Sequence, residues 1–294
     1  MIPFFRRRKV RESLSAYGFI LPFAVFCCAF AILPVLSVFK LSFQTGGFLD
    51  KPVWVGLSNY AGIFADPQYL GYFLNNLVYI AFSIPFGQFF AFTLALLLKE
   101  KTRASAFFES VFFLPLLLSM VAAGTIITYV FNLNGPVNYV LGLFRLEPVN
   151  WLGQTFTAKI TIVIAELWKG ATFYTFVYIA ALRAVPAEYF EVGHMEGARW
   201  LQMLRRVTLP LVKNTILFCF VMTTIWQLQI FDSIYVMTSG GPMNTTMSVV
   251  FSIYQTTFKH FHVGPGSALS ILFLIVILVI SLIQMSLSRS DVEY

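Results

Sequence analysis

From Ser13 to Phe39 the sequence carries no charged residue. A stretch that long has no polar stripe to offer water, and crossing the hydrocarbon of a bilayer takes roughly 20 apolar residues. Further apolar stretches lie within Leu70–Leu98 and Phe107–Phe131, and at about Ile160–Leu182, Asn214–Val236 and Gly266–Leu287. Only 11% of the chain is charged, against 58% hydrophobic, with a mean hydropathy of +0.78. Soluble domains carry roughly a quarter charged residues, so a disordered chain, a disulfide scaffold and a nucleic-acid-binding domain are all poor readings. Unpaired backbone groups are too costly in lipid for open strands, and no stretch alternates as barrel strands do. The expected fold is an all-α membrane protein with six transmembrane helices.

The net charge of +7 reflects where the cations sit rather than an acidic partner. Fourteen Lys and Arg fall on one side of the six-span arrangement: Arg6, Arg7, Arg8, Lys9, Arg11, Lys99, Lys101, Arg103, Arg183, Arg199, Arg205, Arg206, Lys213 and Arg289. Five fall on the other, with Lys169 inside the fourth span. Cytoplasmic loops hold the excess of positive residues, so both termini are expected in the cytoplasm. The divisions are then a cytoplasmic basic tail at 1–12, a first transmembrane helix at 13–43, a core transmembrane domain at 70–287 and a cytoplasmic tail at 288–294. The apolar stretch after the basic cluster exceeds a signal-peptide core of about 7–15 residues, which predicts an uncleaved first span. Cys27, Cys28 and Cys219 have no disulfide or metal spacing, and His194, His260 and His262 complete no zinc motif.

The longest cytoplasmic loop, 184–210, reads as two short helices. Pro186 suits a first helical position, with Glu188 and Glu191 at the positive end. Gly197 permits a turn. Trp200, Met203, Leu204 and Val207 then form an apolar stripe, while Arg199, Gln202, Arg205 and Arg206 occupy other faces. Such a pair either lies on the membrane surface or enters a partner's groove.

The string Pro186-Ala-Glu-Tyr-Phe-Glu-Val-Gly-His-Met-Glu-Gly-Ala198, followed by Val207-Thr-Leu-Pro-Leu, resembles the coupling motif of binding-protein-dependent ABC importer permeases, in the sugar-permease branch of maltose, glycerol-3-phosphate and multiple-sugar systems. Glu191, Gly197, Ala198, Leu209 and Pro210 match that motif; Val192 and Gly193 replace two alanines, and Glu196 an aspartate. Gly56-Leu-Ser-Asn-Tyr, Gly135-Pro-Val-Asn, Trp151-Leu-Gly, Trp168-Lys-Gly and Phe231 to Pro242 with Asn244 and Thr246 extend the likeness along nearly the whole chain.

The resemblance implies a type I ABC importer permease bundle whose two-helix loop sits in a cleft of a cytoplasmic ATPase. Closure of two ATPase subunits on ATP and Mg would rock the bundle between inward-open and outward-open states. It implies further partners: a second permease subunit, in this pattern a different homologous chain, and an extracytoplasmic substrate-binding protein. Coupling contacts would fall to Glu188, Glu191, Val192, Gly193, Glu196, Gly197, Ala198, Leu209 and Pro210, with the Trp200 stripe packing internally. Gly240, Gly241 and Pro242 would meet the loaded binding protein, or serve only as a connector. No phosphate-binding loop is present, so ATP hydrolysis is expected in a partner chain.

Ionisable groups inside spans are costly and usually face a bundle interior or cavity. Glu166 and Lys169 share a helix face, and Asp232 falls at similar depth on the fifth span. They are either a buried packing set, Lys169 pairing with Asp232, or a gate or hydroxyl-binding site with Trp226, Gln227, Gln229 and Tyr235. Scarcity of intramembrane cations favours a neutral di- or oligosaccharide over a phosphate. The competing classes are an ion-gradient-driven secondary transporter using Asp232 and a structural assembly factor.

Overall fold

A computed structural model describes residues 17–47 and 51–287. The expected tails at 1–12 and 288–294, with the amino-terminal basic cluster and Arg289, lie outside the described residues. The chain divides into two compact units, Met1–Ala65 with Ile253–Leu272, and Asp66–Ser252 with Phe273–Tyr294.

In the first unit, α1 (Tyr17–Leu41) holds a π-turn at Cys28–Ile32, and no residue of its spanning window is buried against the rest of the chain. An apolar helix exposed all round is what lipid permits. After it, β1 (Gln44–Thr45) pairs antiparallel with β2 (Val53–Trp54), and Phe43 stacks on Trp54 at 5.4 Å. Helix α2 (Ser58–Ala65) closes the hairpin, Asn59 Nδ2 donating to the carbonyls of Ser42 and Gln44 at 2.8 Å each.

The second unit is built on α3 (Pro67–Leu98); of the helices that follow along the chain, the end of Val249–Tyr254 and the first ten residues of Val263–Leu287 belong to the first unit. Pro67 takes a first-turn position, where its missing N–H costs nothing, and Asp66 caps the helix by accepting from Gln68 N at 2.9 Å. Next come α4 (Arg103–Leu117), α5 (Met120–Val130), α6 (Pro136–Leu143) and α7 (Thr155–Ala184). The loop helices are α8 (Ala187–Met195) and α9 (Trp200–Leu211); α10 (Lys213–Leu228), α11 (Asp232–Met237), α12 (Val249–Tyr254) and α13 (Val263–Leu287) follow. Four of these helices (α1, α3, α7 and α13) are long and apolar enough to cross a membrane, or up to six spans if each of two bent pairs counts as one.

Helices α3 and α7 run in the same direction. Asn75 meets Lys159 near their starts, Gln88 accepts from Tyr178 midway at 2.5 Å, and Arg183 reaches Leu98 and Lys99 at their ends. Gln88 also donates to Thr223 of α10, which runs the opposite way, since Asn76 meets Leu228.

The third expected span differs from a straight rod. It breaks after Leu117, where Leu118 and Ser119 are extended, and α4 and α5 meet at 101°. Pro115 cannot donate to the ladder, and Ser119 caps the new helix through Ala122 N at 3.2 Å. The fifth expected span likewise stops at Leu228, short of Val236, and restarts at Asp232.

Arg183 closes the other end of the unit. Its Nε donates to the Lys99 carbonyl at 2.8 Å, and its Nη2 to the Leu98 carbonyl at 3.0 Å and to Glu109 at 2.6 Å. This satisfies carbonyls that the end of α3 leaves open. Arg183→Met should lower unfolding free energy by about 1–3 kcal/mol, read by denaturant titration of the solubilised protein. Arg183→Lys should restore only part, because an ammonium lacks the planar fork.

Candidate functional site

Helix α8 begins after Pro186, which is its N-cap and so stands one position earlier than the sequence suggests. The helix closes in a Schellman turn: Gly197 N donates to His194 O at 3.0 Å and Ala198 N to Gly193 O at 2.9 Å. The turn places Gly197 at φ +72°, a left-handed conformation that a Cβ disfavours. Gly193 answers a different need. It is buried, and a Cβ there would lie 2.3 Å from Met203 Cε, so α9 packs directly on its backbone.

That contact revises the expected stripe. Met203 is buried, Leu204 and Val207 are half-buried, and Trp200 is 71% exposed. Trp200 is the first residue of α9, directly beyond the corner, so it points away from the packed seam instead of into it. A π-turn at Leu204–Thr208 precedes Pro210, and the helix ends at Leu211 before turning 69° into α10. Leu209 is half-buried and Pro210 exposed. Glu188, Glu191, Val192 and Glu196 are exposed together with Met195, and among the described residues none of the three glutamates makes an ion pair.

A separate cavity of about 280 Å³ brings Glu166, Lys169, Trp226, Gln229 and Asp232 together, with Met120 and Phe231. It lies where α7 passes the break between α4 and α5 and the gap between α10 and α11. Lys169 does not pair with Asp232. Its ammonium donates instead to the carbonyl of Leu118, the residue at the α4–α5 break, where a backbone acceptor has lost its helical donor. Asp232 is exposed in the first turn of α11, where a carboxylate suits the helix dipole. Gln227 is buried behind the cavity, with Nε2 3.5 Å from Glu166 Oε2. Trp226 stacks on Phe173 at 5.9 Å. Tyr235 lies outside the lining and stacks on Phe231 at 5.6 Å.

The segment 238–248 is held by its own hydrogen bonds and by α3. Thr246 Oγ1 donates to Gly241 O at 2.7 Å, Gly240 is buried beneath Met247, and Gly241 and Pro242 are half-buried. Three α3 side chains absent from the sequence reading clamp this region. Asn76 donates to Leu228 O at 2.8 Å and accepts from Val249 N at 2.9 Å; Asn75 donates to Met247 O at 2.8 Å, and Tyr79 to Thr246 O at 2.9 Å. Adjacent asparagines inside an apolar span were the available signal. Asn138 does similar work between Asn132 and Trp151, accepting from Val149 N and Trp151 Nε1, which accounts for two of the family-like strings.

Residues 58–290 match the family described as binding-protein-dependent transport system inner membrane component. The chain belongs to this family. It is a multi-pass inner-membrane permease subunit, and ATP hydrolysis lies in separate subunits. Among its relatives are the trehalose/maltose transport system permease protein MalF of Thermococcus litoralis, 29% identical with 96% of each chain covered, and the lactose transport system permease protein LacF of Rhizobium radiobacter, 30% identical over 95% of this chain and 97% of that one. The fold is similar to that of a bacterial ABC transporter involved in import of the acidic polysaccharide alginate, with TM-score 0.86 at 23% identity, covering 97% and 99% of the two chains. Membership gives the ion-gradient alternative no support.

The packing of the permease's loop helices makes a graded prediction. Gly193→Ala meets only the flexible end of Met203 and should be absorbed, whereas Gly193→Val should separate α8 from α9. Limited proteolysis between residues 184 and 210 should accelerate in the valine variant alone.

Proposed function

We propose that this permease carries a neutral di- or oligosaccharide by alternating access, driven through α8 and α9 by two partner ATPase subunits that bind ATP and Mg. The observation that carries the reading is the handle formed by α8 and α9. Its inner seam is closed by Gly193 and Met203, while the opposite surface presents unpaired Glu188, Glu191 and Glu196 beside exposed Met195 and Trp200. Exposed Glu188, Glu191 and Glu196 together with exposed Arg199, Arg205 and Arg206 give the handle a rim of both signs around its apolar anchors. That suits a protein groove better than an anionic lipid surface, which selects for net positive charge. In this reading Val192 and Met195 enter the ATPase cleft, Gly197 and Ala198 hold the corner, and Leu209 and Pro210 carry the motion into α10.

The cavity around Glu166 and Asp232 is the pathway site. Amide and carboxylate acceptors beside the Trp226 face suit hydroxyls and apolar ring surfaces. An anionic sugar would meet two carboxylates and a lysine already engaged with Leu118. The names of the relatives, trehalose/maltose and lactose permeases, support the carbohydrate class. A second, homologous permease chain completes the pathway, and an extracytoplasmic binding protein delivers the sugar at the loop containing Gly240, Gly241 and Pro242.

Reconstituted with its ATPase, second permease and binding protein, the wild type should take up sugar only with ATP present. Gly197→Asp should cut ATP-driven uptake roughly tenfold or more, within the usual range of coupling energies, while the membrane subunits stay assembled. Asp232→Asn should reduce uptake without loss of assembly. Uptake under an imposed ion gradient with no ATP, or normal coupling in Gly197→Asp, would overturn the reading.

A further inference from the structure

A second cavity, of about 410 Å³, opens between the start of α3, the start of α7 and the 243–245 segment. Lys159, Asn75, Gln68, Thr155, Asn244 and Thr245 are among its lining residues, and no carboxylate is. Lys159 Nζ donates to Asn75 Oδ1 at 2.7 Å. The orientation of that amide is fixed, because Asn75 Nδ2 donates to the Met247 carbonyl and a flipped amide would set oxygen against oxygen. An ammonium has three donors, and among the described residues Lys159 has no ion-pair partner. The nearby acid, Asp66, is turned to the first turn of α3, where it accepts from Gln68 N. The cavity is therefore a polar socket with one uncompensated positive charge.

The charge calls for an anion, and the pathway below indicates that the anion does not pass through. Lys159 and Glu166 are seven residues apart on α7, two turns along nearly the same face, or about 10 Å. An anion moving inward from Lys159 would next meet the cavity of Glu166 and Asp232. A group attracted to the first site and repelled by the second belongs to a molecule that docks. The aromatic of the lining, Tyr72, is only 9% exposed and donates its hydroxyl to Gln68 Oε1 at 3.1 Å, so it offers a sugar little ring surface. Beside it Met243 is 89% exposed, a free apolar contact on the same rim.

We infer that the Lys159 cavity receives an aspartate or glutamate side chain of the extracytoplasmic binding protein, fixing the docked orientation above the pathway. This rests on the proposed delivery of sugar at the Gly240–Pro242 loop, and it adds to that uncharged loop a charged anchor at the start of α7.

The test uses the complete transporter in proteoliposomes, measuring ATPase stimulation against the concentration of sugar-loaded binding protein at low and high salt. Lys159→Gln should raise the half-saturating concentration roughly tenfold and flatten its salt dependence, as loss of one steering charge does, with maximal stimulation unchanged. Lys159→Arg should stay near the wild type. Thr245→Glu leaves the Lys159–Asn75 bond in place and puts a carboxylate in the socket, so it should reproduce the glutamine effect even where Lys159→Gln assembles poorly. Wild-type half-saturation and salt dependence in both Lys159→Gln and Thr245→Glu would overturn the inference. So would a shift confined to the sugar dependence of uptake at saturating binding protein, which would make the cavity a carbohydrate site. Absence of any stimulation of the wild type would instead overturn the docking proposal beneath it.

Discussion

Backbone polar groups cannot be left bare in hydrocarbon, and this permease has helices that stop inside its membrane-spanning segments. The carbonyls at two such stops, and several in the loops beyond them, are answered by side chains from elsewhere in the chain. The carbonyl of Leu118 takes the ammonium of Lys169, and that of Leu228 takes the amide of Asn76. Ile230 O accepts from Ser248, Met247 O from Asn75 and Thr246 O from Tyr79. Nearly all these donors sit on α3 and α7, two of the long unbroken helices. They form the frame, and α4, α5, α10 and α11 are broken around it.

Breaking helices at these points creates room for a site. The Glu166–Asp232 cavity opens where the α4–α5 corner and the α10–α11 gap face α7, so the breaks form its walls. Lys169 illustrates how frame and pathway share atoms: it lines the cavity while holding the broken strand of backbone in place. The handle at α8 and α9 follows the opposite logic. Its internal contact is a single close seam at Gly193, and its charges are left unpaired for another molecule. A rigid frame joined through Arg183 and the 69° turn at Val212 to an unsatisfied handle is a sound arrangement for moving helices as bodies.

The four long apolar helices, α1, α3, α7 and α13, were legible in the sequence because apolar length alone requires them, and the handle because Gly197 and its neighbours carry a recognisable string. Gathering Glu166, Lys169 and Asp232 into one cavity followed from helical spacing and depth. The break at Leu118 had a signal in Pro115, since a proline inside a span suggests a kink, but Pro85 lies within an unbroken α3. The break at Gln229 was not legible, since apolar composition looks the same in a straight helix and in a bent pair. The partner of Lys169 was not legible for the same reason: a carbonyl freed by a break has no signature in side chains, so only Asp232 stood out as a partner in the packing alternative. Trp200 was misplaced because a stripe at helical spacing says which residues share a face, but not where the opposing helix ends. Asn75 and Asn76 had a signal, two amides in lipid, whose meaning depends on backbone elsewhere in the chain.

The most direct test of the account is a proximity measurement on the handle. With Cys27, Cys28 and Cys219 replaced, a single cysteine at Met195, 88% exposed at the end of α8, would be crosslinked in the assembled transporter. The account predicts a covalent adduct with the ATPase subunit both with and without ATP, and loss of transport once it forms. An adduct only with lipid-borne reagents, and none with any ATPase subunit in either state, would contradict it.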